Sequence, residues 1–222
     1  MRSIFVISAV LCVGGAGLSY AVRDAVITPG FDQLSNIKNA PVRFRIDAGR
    51  SKFMVKASRG GLAWFKGHDH FIAVRDFGGD VALSLDALNP ASLELTVRAD
   101  SLEETGANFT AEQKEIIKKE LRELVLETAK YPEIAFKSTD VKGELKNGQF
   151  DVKIGGDITL HGVTKRIEIP AIVSVDGSDL RATGEFELNR KDFNVNATSA
   201  FHGLVRVKHN LEFNFDIIAH RE

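Results

Sequence analysis

Residues 205–217 read VRVKHNLEFNFDI, and apolar and polar side chains alternate along almost the whole stretch. Successive side chains of a β-strand point to opposite faces of the sheet, so a period of two places the apolar residues together on one face. The Arg, Lys, Asn, Glu and Asp side chains fall on the other face. This pattern is typical of an antiparallel strand with one face against an apolar interior and one face in water.

The same alternation recurs through most of the chain. It is clear in residues 42–46, 52–57, 81–85, 92–98, 150–160, 167–175 and 180–188. Turn-forming pairs such as Asn147-Gly148 and Asp176-Gly177 separate several of these segments. About nine or ten antiparallel strands must protect their edges, and either a sandwich or a closed barrel would do so. Periodicity alone does not choose between the two, nor between a filled core and an internal cavity.

One segment has a different period. Thr110 followed by Gln113 is a capping-box start, and apolar residues recur at helical spacing from Ile116 onward. The pattern predicts a single amphipathic helix at about residues 110–130 that ends before Pro132, since proline disfavours helix at the residue before it. Its apolar stripe is expected to pack against the β-structure.

The N-terminus has the features of an export signal. Arg2 precedes a short apolar run, and Ser19-Tyr20-Ala21 offers small residues where a signal peptidase reads them. Residues 1–21 are therefore expected to be a signal peptide, residues 22–41 a linker, and residues 42–220 one folded domain. This predicts a periplasmic or secreted protein, with an uncleaved membrane anchor as the alternative.

Composition and motifs exclude several classes of function. The net charge is -1, so no basic excess points to nucleic acid. The sequence has no nucleophile elbow and no glycine-rich phosphate loop, and its one cysteine, Cys12, lies in the signal segment. Fifteen residues are Phe, against two Tyr and one Trp, which suits a dry interior better than a wet interface. The sequence therefore supplies no recognisable constellation of catalytic residues.

Four strings resemble the YceI-like family, also called the polyisoprenoid-binding family. In chain order they are GHDH at residues 67–70 followed by FGG at 77–79, YPEIAFKST at 131–139, GDITLHGVTK at 156–165 and NRKDF at 189–193. They stand in the order found in the family and span essentially the whole domain. The GHDH string is similar to one branch of the family.

The resemblance implies an all-β fold, an eight-stranded antiparallel lipocalin-like barrel with one helix and an apolar lumen. It implies a ligand such as a polyprenyl or quinone-type lipid, no cofactor and no catalytic activity. Contact with a membrane would be transient at most, and a homodimer remains open.

Twelve apolar residues are the candidates for the lumen. They are Phe53, Val55, Phe71, Leu83, Leu95, Phe136, Ile154, Ile158, Ile169, Phe186, Phe213 and Phe215. The alternative is that many of these side chains simply fill the barrel, as in other small barrels.

Four histidines are candidate contacts for a lipid head group, because an imidazole can donate to phosphate, quinone or carboxylate oxygens. They are His68, His70, His161 and His202. A metal centre on His68, His70 and His161 is the alternative hypothesis. We favour hydrogen bonding of these side chains to nearby protein groups over a metal, because no HExxH or CxxC framework accompanies them.

Overall fold

The structure, a computed structural model, describes residues 41–84, 90–200 and 204–222. The expected signal peptide and almost all of the expected linker lie outside these residues. Within them, no helix is both long and apolar enough to cross a bilayer.

The alternating segments form antiparallel strands, as the sequence predicts. The strands of the first half are β1 (Val42–Ile46), β2 (Lys52–Ala57), β3 (Arg59–Gly60), β4 (His70–Val74), β5 (Phe77–Leu83), β6 (Ala91–Arg98) and β7 (Leu102–Glu104). Those of the second half are β8 (Glu133–Lys146), β9 (Gln149–Leu160), β10 (Val163–Asp176), β11 (Asp179–Asn189), β12 (Ser199–Ala200), β13 (Val205–Val207) and β14 (Asn210–Arg221).

Eight strands close into a barrel. The hydrogen-bonded order is β1-β5-β6-β8-β9-β10-β11-β14, and β14 returns to pair with β1. Three of the eight barrel strands are bent, so each is divided into two segments: β1 with β2, β4 with β5, and β6 with β7. The segments β2, β4 and β7 follow β14 in the same pairing order as β1, β5 and β6 do. Closure leaves no exposed sheet edge among these eight strands, which decides between the sandwich and the barrel that periodicity could not distinguish. The eight-stranded antiparallel barrel is therefore confirmed.

The single predicted helix is present but shorter than expected. Helix α1 spans Ala111–Glu120 and continues as one π-helical turn over Leu121–Val125. The capping box forms as predicted: the Thr110 hydroxyl accepts from the Gln113 backbone N–H, and the Gln113 side chain accepts from the Thr110 N–H. Lys118 pairs with Glu103 of β7 at 2.8 Å, which holds the helix against the barrel.

The two ends of the barrel differ. Segments 58–69, 105–132, 161–162 and 190–209 connect strands at one end, here called the helix end. The turns Asn147-Gly148 and Gly177-Ser178 lie at the other, here called the turn end. Three of the histidines predicted to be functional, His68, His70 and His161, belong to segments at or next to the helix end, and His202 lies outside the described residues.

Candidate functional site

The barrel encloses an elongated cavity of about 210 Å³. Its lining comes from every barrel strand and runs from Leu83 and Phe150 near the turn end to Leu160 and Leu188 near the helix end. The wall, as formed by the described residues, exposes only apolar atoms. An apolar cavity of about 150 Å³ can stay dry and bind small apolar molecules, so this one is suited to an apolar ligand.

Eleven of the twelve predicted lumen residues line this cavity. They are Phe53, Val55, Leu83, Leu95, Phe136, Ile154, Ile158, Ile169, Phe186, Phe213 and Phe215. Their position is as expected, whereas their contact with a ligand stays a prediction.

The placement of Phe71 in the lumen is wrong. Its side chain is 40% exposed, and on strand β4 it lies opposite Lys56, on the outer face. The inward residue is its neighbour Ile72, which lies opposite Val55. Residues 71–74 read FIAV, an unbroken apolar run in which a period of two gives no information about direction.

Phenylalanines on β2, β11 and β14 form one wall of the cavity. The Phe186 and Phe213 rings stack with centroids 4.7 Å apart, and Phe53 and Phe215 lie 6.4 and 6.3 Å from this pair. These side chains point inward and are nevertheless only half-buried. In a filled core such rings would be fully enclosed. Their remaining accessible surface faces the cavity.

Gly184 makes room for this wall. A Cβ at this position would lie 2.6 Å from the Phe215 ring and 2.4 Å from the Pro170 carbonyl oxygen. The absence of a side chain lets the Phe215 ring lie close against β11, the neighbouring strand. Any side chain at this position would collide with the Phe215 ring and with the backbone of β10.

Three lining residues come from outside the strands. Leu126 follows the helix, and Arg190 and Val195 belong to the segment after β11. Only the methylene stem of Arg190 can contribute to the apolar wall, since its guanidinium donates to the carbonyls of Val195, Val207 and Lys208. Burial lowers the pKa of this guanidinium below its usual value. No sequence periodicity marks these three residues, so the pattern could not have found them.

Of the predicted histidines, the three that the structure describes, His68, His70 and His161, do not line the cavity. Nδ1 of His70 lies 2.7 Å from the buried Glu104 carboxylate, and Nε2 of His161 lies 2.7 Å from Glu127. The His68 ring meets Phe109 edge-on, with the ring centroids 5.7 Å apart. Among the described residues no group of three His, Cys, Asp or Glu side chains is arranged to hold a metal ion. The alternative metal centre on His68, His70 and His161 therefore has no cluster to support it.

A closed antiparallel barrel around an apolar cavity defines a lipocalin-like binding fold. The chain belongs to the YceI-like domain family, whose model matches residues 44–219. This is the family indicated by the four sequence strings.

Relatives and solved structures agree with this assignment. The chain is 32% identical over 145 residues to Protein YceI of Escherichia coli O6:H1, covering 61% of this chain and 65% of that protein. It is 35% identical over 122 residues to a UPF0312 protein of Pseudomonas savastanoi, covering 52% and 59%. These matches thus cover less than two thirds of each relative's length.

Two solved structures share the fold at low identity. BcnA of Burkholderia cenocepacia superposes with a TM-score of 0.62 at 15% identity, covering 78% of this chain and 98% of BcnA. A polyisoprenoid-binding domain from Saccharophagus degradans, implicated in plant cell wall breakdown, gives 0.61 at 14% identity, covering 82% and 99%.

Proposed function

We propose that this protein is an exported carrier or store that holds an isoprenoid-type or similar long-chain amphiphilic lipid in its barrel, without catalysing a reaction. The observation that carries the proposal is the set of inward-facing, half-buried Phe side chains around an apolar cavity. The polyisoprenoid-binding domain that shares the fold supports the same class of ligand.

The energetics of such a complex come mainly from the lipid chain. Burying one CH₂-sized group contributes about 0.8 kcal/mol, so one five-carbon isoprene unit contributes roughly 4 kcal/mol before any cost is subtracted. A micromolar complex needs about 8 kcal/mol net. Two buried units reach this value before any cost is subtracted, and a third and further units would offset the entropy lost on binding. The polar head group would then mainly set the orientation of the lipid.

A cavity-filling substitution tests the proposal. Ala182 lines the cavity, so Ala182→Phe would place a ring in the space that the lipid needs. The probe is a geranylgeranyl chain carrying a fluorescent nitrobenzoxadiazole group. We expect the parent protein to bind it and the variant to lose most of that binding while keeping its melting temperature, because a ring that enters existing space does not overpack a core.

The matched control is Thr183→Phe on the adjacent, outward-facing position of the same strand. It adds a similar ring without entering the lumen and should leave probe binding unchanged. Loss of folding in Ala182→Phe, together with no probe bound by the parent, would show that the interior is a filled core. Independently of these variants, native mass spectrometry of the protein purified from its own host would identify any lipid that co-purifies.

Export is the second part of the proposal. It is supported by the short apolar run after Arg2 and by the Ser19-Tyr20-Ala21 site. N-terminal sequencing of protein collected outside the cytoplasm should begin near Val22. An intact Met1 in that material would contradict cleavage.

A further inference from the structure

Two loops at the helix end expose a cluster of large apolar side chains. The first loop is segment 58–69 and the second is segment 190–209. Leu62 is 87% exposed, Phe65 65%, Trp64 54% and Leu204 46%. We call these four residues the apolar tip. Single exposed apolar residues are ordinary on protein surfaces, whereas a contiguous group marks a contact surface.

The two loops that carry the apolar tip are fastened to each other. Strand β3 of the first loop pairs with β13 of the second, and the Ala63 N–H donates to the Leu204 carbonyl at 3.0 Å. Gly61, with φ of +89°, permits this approach, because a Cβ there would lie 2.4 Å from the Leu204 carbonyl oxygen. The apolar side chains are therefore held outward by backbone pairing.

Positive charge surrounds the apolar tip. Segments 58–69 and 190–209 carry six Lys and Arg and two Asp, a net charge of +4, whereas the whole chain carries -1. Arg190 is buried against backbone carbonyls, so five basic side chains remain for the surface of these segments. The Arg59 guanidinium lies 5.6 Å from the centre of the Trp64 ring. The pKa of His209 in the second loop is lowered by desolvation and by the positive charges of Lys191, Arg190 and Arg206. Aromatic side chains beside basic ones are the combination found where proteins meet anionic lipid head groups.

The same loops form part of the cavity wall. Arg190 and Val195 line the cavity, and the Arg190 guanidinium binds the carbonyls of Val207 and Lys208 in the second loop. The strands from which the loops extend, β2, β11 and β14, carry the wall of phenylalanines. Whatever the apolar tip contacts is therefore brought next to the helix end of the cavity.

We propose that the apolar tip docks transiently on an anionic phospholipid surface, with the helix end of the barrel facing the bilayer. The basic side chains would lie at the lipid phosphates and the Trp64 and Phe65 rings at the level of the head groups. A second copy of the chain fits less well, because a two-fold symmetric contact would bring two basic loops together. Lipid transfer through this end rests on the proposed function, whereas the docking does not.

Trp64 is the chain's only tryptophan, so its fluorescence reports on the apolar tip directly. The exported protein is mixed with vesicles of phosphatidylcholine, with or without phosphatidylglycerol. We expect a blue shift of the emission and quenching by brominated acyl chains with the anionic vesicles. Raising the salt from about 0.1 M to about 1 M should weaken the effect, since the Debye length falls from about 10 to about 3 Å.

Variants test whether binding to anionic vesicles depends on the apolar tip. Phe65→Ala should lower the vesicle partition coefficient at least about tenfold, because a buried Phe ring contributes strongly to transfer. Lys66→Gln should lower it roughly fivefold on anionic vesicles only. Leu145→Ala, a 57% exposed residue near the turn end, is the matched control and should leave partitioning unchanged.

Three results would overturn the proposal. They are the absence of any Trp64 shift with anionic vesicles, an equal loss in Leu145→Ala, and a blue shift without vesicles that grows with protein concentration. The last would assign the apolar tip to self-association. Phe65→Ala should still bind the geranylgeranyl probe in solution like the parent. Failure of the parent to bind that probe would count against the lumen ligand and leave the docking result standing.

Discussion

Glu104 is a carboxylate whose side chain is completely screened from solvent at the helix end. It accepts hydrogen bonds from Nδ1 of His70 at 2.7 Å and from the backbone N–H groups of Gly106 at 2.6 Å and Phe71 at 3.1 Å. Burial by itself would raise its pKa, but these hydrogen bonds outweigh burial, and the pKa lies below the usual value. The ionised carboxylate therefore ties strand β4 to the segment that leads into the helix.

Replacing this carboxylate should cost stability in a pH-dependent way. Glu104→Gln is expected to lower the free energy of unfolding by about 1–3 kcal/mol at neutral pH, because buried N–H groups lose a charged acceptor. A depressed folded-state pKa contributes stability above the unfolded pKa of about 4.3, and that contribution is lost as the pH falls through the folded-state pKa. Urea unfolding should thus show the difference from the parent shrinking in acid.

The neighbouring Glu103→Gln is the control for this change. Glu103 pairs with Lys118 in a partly exposed setting, so its replacement should cost less than about 1 kcal/mol. A difference between Glu104→Gln and the parent that stays constant from neutral to acidic pH would contradict the role assigned to the charge.

Phe213 and Phe44 distinguish the cavity from the packed core. Phe44 is 1% exposed, and Phe44→Ala should cost about 3–5 kcal/mol by leaving a new cavity. Phe213 already borders open space, so Phe213→Ala should lower the stability of the empty protein clearly less than Phe44→Ala does. It should lower the affinity for the geranylgeranyl probe more. Thermal melting and probe titration measure the two effects. Equal destabilisation by both variants would mean that the Phe213 ring is packed like a core residue.

At the scale of elements, the sequence predicted what depends on local periodicity. Strand β11 lies where its clean alternation places it, and the capping box begins the helix one residue after Thr110. The alternating stretch 205–217 is divided instead: Val205–Val207 form β13 in a separate small sheet, and β14 begins at Asn210. The helix ends at Val125 rather than near Lys130, since one π-helical turn closes it. The direction of Phe71 depends on pairing with another strand, and the role of Leu126 depends on where the helix docks. Neither is encoded in local spacing.

The helix cap offers a test at this scale. Thr110→Ala removes one half of the capping box and should lower stability by about 1 kcal/mol. Leu126 follows the helix directly and lines the cavity, so fraying of the helix should loosen this part of the wall. We expect faster hydrogen exchange over residues 111–125 and faster release of the probe. Thr183→Ala on the outer face of β11 should change neither, and unchanged release in Thr110→Ala would separate the helix from the cavity.

At the scale of the whole molecule, the barrel depends on the seam where its last strand meets its first. Strand β14 pairs with β11 on one side and with β1 and β2 on the other. Near the turn end, Nδ1 of His220 contacts Asp179 at 2.7 Å, and its Nε2 contacts Asp47 at 3.1 Å. One imidazole on β14 thus bridges a residue of β11 and the bend after β1. Hydrogen bonds to Asp179, and then to Asp47, raise the pKa of His220 above its usual value.

The raised pKa predicts the direction of the pH dependence of the seam. A group whose pKa is higher in the folded state contributes stability that is fully present below the unfolded pKa of about 6.5 and is lost as the pH rises through the folded-state pKa. The parent should therefore lose this increment on going from mildly acidic to alkaline conditions, and His220→Gln should flatten that part of the profile. The measurement is chemical denaturation across this range, combined with an NMR titration of the histidine ring protons.

The NMR titration compares the pKa values of two histidines in the same protein. His220 should titrate above about 6.5 and His209, beside three basic side chains, below it. Asp47→Asn and Asp179→Asn should each move the His220 pKa back down, the second more than the first, because the Asp179 hydrogen bond is the larger cause. A His220 that titrates at or below about 6.5, with a stability profile unchanged in His220→Gln, would show that the imidazole does not help to close the barrel. The seam would then be held by backbone pairing, by the apolar side chains of β14, and by ion pairs such as Arg181–Asp216 and Lys56–Glu212.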